Sequence, residues 1–225
     1  MKAINLQPLY EIIGYQFTDK KLIVNALTHR SLGLKNNERL EFLGDSVLNF
    51  VISEALYDRY PDALEGDLSR LRAYLVKGET LSEIARELSL GNFVQLGQGE
   101  LRSGGFRRDS ILADCVEAMI AAVLLDSDFE ACKKVILSIY KTRLDGEIHF
   151  DSLKDPKTQL QEKLQSKNVQ LPDYTLLKVS GEQHNQIFEV VCSVSSLKLT
   201  SIGKSTTRRK AEKNAAKHML AQLKL

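Results

Sequence analysis

Glu38-Arg39-Leu40-Glu41-Phe42-Leu43-Gly44-Asp45 is the stretch on which the reading of this chain turns. Its carboxylates, Glu38, Glu41 and Asp45, are spaced by three and four residues, which puts them on one face of an α-helix. At roughly 100° per residue they fall within an arc of about 60°. Leu40, Leu43, Val47 and Val51 take the opposite side, and Phe42 and Leu48 flank the acids. Like charges one turn apart repel, so something must compensate. Either the acids hold a divalent cation, or they form a solvated face neutralised by arginines such as Arg39. The spacing alone allows both.

A second acidic pair lies downstream. From Ser110 to Leu125 the only charged residues are Asp114 and Glu117, with Ser110 and Ala121 on their stripe and apolar or small residues nearly everywhere else. A helix apolar all round is expected to be buried, and a buried carboxylate has to be paired, protonated or bound to metal. If the two acidic helices pack side by side, Glu41, Asp45, Asp114 and Glu117 converge on one hard cation. Ligation by oxygen alone, with positions left for water, points to Mg²⁺ with Mn²⁺ as a substitute.

The remaining periodicity predicts helices over about 5–13, 19–26, 37–60, 65–75, 78–88 and 128–144, besides 109–125, with breaks at Gly14, Tyr60-Pro61, Gly91 and the glycine-rich stretch Gly97 to Gly105. An all-α domain is expected over residues 1–146. Residues 147–154 lack regular apolar spacing and read as a linker. Residues 155–225 change style, with a helix over 156–166, strands over 174–179, 187–194 and 197–202, and a helix over 206–223. That is a small α+β (α-β-β-β-α) domain.

Charge follows the same division. Residues 1–150 carry 18 Lys+Arg against 22 Asp+Glu, and residues 151–225 carry 13 against 7, so the net +2 hides an acidic front and a basic rear. The last helix opens with Arg208, Arg209 and Lys210, cations at the end where the helix dipole disfavours them. They fit if that end faces phosphates. Cys115, Cys132 and Cys192 show no C-x-x-C spacing and His29, His149, His184 and His218 are scattered, which argues against a disulfide framework and against zinc. No apolar run approaches the ~20 residues of a membrane span and no signal peptide is evident, so the expected setting is cytoplasmic.

Asn37 to Ser46 resembles the signature of the ribonuclease III family, and Asp114-Cys115-Val116-Glu117-Ala118 resembles its second acidic motif. The resemblance extends over essentially the whole chain. It implies an all-α nuclease domain followed by a double-stranded RNA-binding domain, acting as a homodimer on double-stranded RNA without an organic cofactor. In that family Glu41, Asp45, Asp114 and Glu117 would surround Mg²⁺, and Glu38 and Glu65 would be further acidic members of the catalytic valley. The implied reaction leaves 5′-phosphate and 3′-hydroxyl ends with two-nucleotide 3′ overhangs, in processing of rRNA, mRNA and tRNA. In the rear domain Gln161 and Gln165 would meet one minor groove, His184 the next, and Arg208, Arg209 and Lys210 the phosphates between them. Glu212 departs from the pattern, standing where many such domains carry lysine, as do Glu182 in place of proline and Ser205 in place of glycine. A noncatalytic RNA-binding protein on the same fold is the alternative.

Overall fold

The computed structural model describes residues 5–33, 35–146, 150–182 and 185–223, and the chain divides into two compact units, Met1–Ile148 and His149–Leu225. The first is helical: α1 (Gln7–Ile13), α2 (Lys20–Ala26), α3 (Glu38–Arg59), α4 (Glu65–Leu75), α5 (Gly78–Glu87), α6 (Gln98–Arg102), α7 (Asp109–Asp126), α8 (Phe129–Ile139) and α9 (Lys141–Asp145).

The apolar sequence of α7 makes it the centre of this unit. Eleven of its 18 residues are buried, so it is covered on nearly every side, with α2, α3, α5 and α8 packed around it. Its C-terminal Asp126 accepts hydrogen bonds from the Tyr15 hydroxyl (2.7 Å) and the backbone N–H groups of Thr18 (2.8 Å) and Asp19 (2.7 Å), which fastens the α1–α2 connection to the core.

Along α3 the buried stripe runs Leu40, Gly44, Leu48, Val51, Ile52, Leu56. The predicted inner residues Leu43 and Val47 are only half-buried, and Leu48, read as flanking the acids, is fully buried. Gly44 is the cause of the difference. A Cβ there would stand 1.8 Å from the Glu117 carbonyl oxygen, so α3 and α7 meet backbone to backbone at a residue that carries no apolar signal.

The helix predicted over 128–144 is two, α8 and α9, interrupted at Tyr140. That ring is fully buried and its hydroxyl donates to the Leu75 carbonyl at 3.2 Å.

The second unit contains α10 (Phe150–Leu153), α11 (Pro156–Ser166), β1 (Asp173–Ser180), β2 (Ile187–Val194), β3 (Leu199–Ser205) and α12 (Arg208–Gln222). The strands form one antiparallel sheet in the order β1-β2-β3. Strand β2 buries alternate residues, Val190, Cys192 and Val194. The last two join Leu160 and Leu164 of α11 and Ala215, Ala216 and Met219 of α12 in the core. Gly203 lets α12 sit close on β3, since a Cβ there would meet the Ala211 carbonyl oxygen and the Ala215 nitrogen at 2.2 Å.

Two details differ from expectation. Within the segment read as a linker, Phe150–Leu153 forms a single helical turn, too short to leave a periodic signal, while 147–149 lie outside the described residues. β3 begins at Leu199 rather than 197 because Ser195–Leu197 is a 3₁₀ turn closed by Lys198 at φ 54°.

Candidate functional site

The backbone contact at Gly44 puts the first turns of α3 beside the middle of α7. Glu41 lies about one turn before Gly44 on α3, across from Asp114 and Glu117 on α7, and each of the three offers a carboxylate oxygen within 4.8 Å of the other two. All three are half-buried. Burial, with the charges of Asp45, Glu41 and Asp114 behind it, pushes Glu117 up to about 8. Burial and the Asp114 charge raise Glu41 as well. Asp114 is also raised by burial, with His29 and Arg30 pulling the other way.

Burial raises all three acids, and neighbouring carboxylate charge adds to it at Glu41 and Glu117; a hard divalent cation placed among them would offset both costs.

The other predicted acids lie around this trio. Asp45 is exposed and outside the closest group. Its carboxylate accepts a hydrogen bond from Asn49 Nδ2 at 2.8 Å, yet its charge still acts on Glu117. Glu38 pairs with Arg30 at 3.6 Å and accepts from Asn36 Nδ2 at 3.0 Å. Glu65 is the exposed first residue of α4, where its carboxylate accepts from Ser69 Oγ at 2.7 Å.

Next to the trio is a cavity of about 520 Å³, with Glu38, Glu41 and Asp114 on its acidic side and Arg30 and Arg108 among its other lining residues. Glu100, mostly buried, holds Arg108 Nη1 at 2.8 Å. His29 is buried, and its Nδ1 lies 2.9 Å from Ser31 Oγ and 3.2 Å from the Ser31 backbone nitrogen, which fixes the ring against the start of the α2–α3 connection. Asn37, also buried, anchors the start of α3. Its N–H donates to the Thr28 carbonyl at 2.9 Å, its carbonyl accepts the Glu41 N–H at 2.8 Å, and its amide lies 3.8 Å from Cys115 Sγ.

Sequence reasoning did not single out His29, Arg30, Glu100 or Arg108. All but Glu100 sit outside the longer helices, in connections without periodicity, and Glu100 is in the five-residue α6. The one available signal was cations flanking acidic motifs.

In the second unit Gln161 and Gln165 are exposed on α11, each following a buried leucine, Leu160 or Leu164. Arg208, Arg209 and Lys210 form the exposed first turn of α12, capped by Thr207 Oγ1 on the Lys210 N–H at 3.2 Å. His184 lies outside the described residues.

Comparison with known proteins agrees with this layout. The description "Ribonuclease-III-like" matches residues 19–144 and "Double-stranded RNA binding motif" matches residues 156–223. The chain is 54% identical over 223 residues to ribonuclease 3 of Buchnera aphidicola subsp. Schizaphis graminum, covering 99% of each. It is 58% identical over 211 residues to ribonuclease 3 of Vibrio atlanticus, covering 94% of each. Among solved structures, the nuclease domain of ribonuclease III from Campylobacter jejuni is similar at a TM-score of 0.59 and 44% identity, covering 61% of this chain and 97% of that one. That structure is described for flexibility in a region involved in dimer formation.

Proposed function

Because the chain belongs to the ribonuclease III family, and is on that ground an endoribonuclease of double-stranded RNA, we propose a finer account of how it works. It hydrolyses phosphodiester bonds with Mg²⁺, leaving 5′-phosphate and 3′-hydroxyl ends with two-nucleotide 3′ overhangs. Its substrates are rRNA, mRNA and tRNA precursors in the cytoplasm. The observation that carries this reading is the Glu41, Asp114 and Glu117 trio, whose oxygens lie within 4.8 Å of one another.

Glu41, Asp114 and Glu117 would hold the cation and Asp45 would complete its surroundings. When bound, the ion supplies Lewis-acid stabilisation of the phosphate charge and makes a water more acidic. The protein's own groups do the rest. Glu117 releases its proton on loading. Arg30 and Arg108 hold positive charge at the cavity for the RNA backbone, and His29 lines the same cavity. Glu38 orients Arg30. Glu65 stands as a more remote acidic member of the valley.

Staggered cuts need two sites facing opposite strands, which a twofold homodimer provides. Phe42 (79% exposed) and Tyr57 (73%) on α3, with Leu64 (74%) just beyond it, give the nuclease unit an apolar surface for that purpose.

The test is to incubate the protein with duplex and single-stranded RNA, with Mg²⁺ or EDTA, and to map the products. Cleavage of duplex alone, dependent on Mg²⁺ and abolished in Glu117→Gln, is expected. Turnover in EDTA, or normal turnover by that variant, would refute the assignment.

A further inference from the structure

Glu212 is the acid that stands where a lysine is common, and it is held from two sides. Its Oε2 accepts from Lys157 Nζ at 2.7 Å and its Oε1 from Arg208 Nε at 3.1 Å, while the side chain itself is 15% exposed. Lys157 is on the first turn of α11, and its ammonium also lies 4.2 Å from the centre of the Tyr174 ring on β1. Beside this, Asp155, the N-cap of α11, accepts the Lys157 N–H at 2.9 Å and pairs with Lys213 of α12 at 2.6 Å.

The charged groups thus join the N-terminal ends of the two helices that carry Gln161, Gln165, Arg208, Arg209 and Lys210. The Arg208 bond uses Nε and leaves the Nη fork for a phosphate.

We infer that Glu212 is a positioning residue for duplex recognition: through Lys157 and Arg208 it fixes the spacing between the glutamine face of α11 and the phosphate-facing turn of α12. A-form RNA is read by shape, with contacts across two minor grooves and the phosphates between them, so that spacing is itself a recognition element. Glu212 lowers the positive charge near the RNA and still favours binding, because a cation held in place is worth more to a duplex than one free to sample solvent. Single-stranded RNA, with no fixed groove spacing, gains nothing from it. The inference rests on Arg208 being an RNA contact.

The experiment measures affinity of the full-length protein for duplex and single-stranded RNA across a salt series, with EDTA present to prevent cleavage. Glu212→Gln removes one negative charge and Lys157→Met removes one positive charge. Positioning predicts that both weaken duplex binding by about fivefold and that the double variant is no worse than the weaker single, as for members of one network. The dependence on salt becomes shallower in both, because a phosphate contact is lost. Single-stranded binding stays equal or tightens in Glu212→Gln. Glu212→Asp keeps the charge and shortens the reach, so it is expected to weaken duplex binding too, and it serves if the glutamine variant folds poorly. If Glu212→Gln tightens duplex binding while Lys157→Met weakens it, charge alone governs and the inference is overturned. Arg208→Met separates the two levels of the argument. A loss of duplex affinity there leaves the RNA-contact reading standing whatever Glu212 does, and unchanged affinity overturns both.

Discussion

The Gly44 Cα faces the Glu117 carbonyl so closely that an added methyl carbon would lie 1.8 Å from that oxygen. This contact sets the separation of the two acidic helices. Gly44→Ala gains helix propensity, about 1 kcal/mol, but must push α3 off α7 at a cost typical of overpacking, about 1–3 kcal/mol. The variant should melt at lower temperature and bind Mg²⁺ more weakly than the parent. Equal Mg²⁺ affinity in the two proteins would show that the helix contact does not set the site.

Stability without metal should depend on pH in a definite direction. Glu117 is pushed up to about 8 in the folded protein from an ordinary value of 4.5. A raised carboxyl contributes stability that is full below the unfolded value and is lost as the pH rises through the folded one. The melting temperature of metal-free protein should therefore fall between about pH 5 and pH 8.5, and Glu117→Gln should flatten this slope. Differential scanning calorimetry across that range provides the measurement.

Loading the site should release protons. A cation that needs Glu117 ionised competes with the proton there, so Mg²⁺ affinity should climb as the pH approaches about 8 and level off above it. Titration calorimetry near neutral pH in buffers of different ionisation enthalpy reads the proton count. A count of zero would place Glu117 outside the ligand set.

Asp126 gathers three hydrogen bonds from the α1–α2 connection. Asp126→Ala should cost about 1 kcal/mol, since two exposed backbone N–H groups turn to water and the part-buried Tyr15 hydroxyl loses its acceptor. Cleavage by the protein that remains folded should be unchanged, because the loss lies at the far end of α7 from Asp114. Chemical denaturation and a cleavage assay together check this.

A chain ending at Asp145 should lose most duplex affinity at moderate salt, since it discards the basic segment and keeps the acidic one. Full retention of affinity and of its salt dependence would show that the nuclease unit alone carries the RNA contacts.

Much of this was legible in the chain because charge on an otherwise apolar helix is a strong signal. Asp114 and Glu117 stand out on α7 for that reason, and the two-residue alternation of β2 is equally plain. Three kinds of feature were not. Gly44 and Gly203 act through an absent side chain, so the approach of α3 to α7 and of β3 to α12 leaves no mark in a hydrophobic pattern, and periodicity alone puts Leu43 and Val47 in the inner stripe of α3. His29, Arg30 and Arg108 lie in connections whose course depends on tertiary contacts. The break at Tyr140 follows from a buried ring whose hydroxyl meets the Leu75 carbonyl, a partner 65 residues away.

Cys115 lies between the two acids of α7 in sequence, yet its sulfur is fully buried and faces the Asn37 amide. Burial, reinforced by the Asp114 charge, pushes its thiol up to about 12, so it stays protonated. The acidic trio therefore presents no thiolate although a cysteine is a direct neighbour of Asp114. A thiophilic ion such as Cd²⁺ would find no thiolate donor at this trio, whose three offered atoms are all carboxylate oxygens.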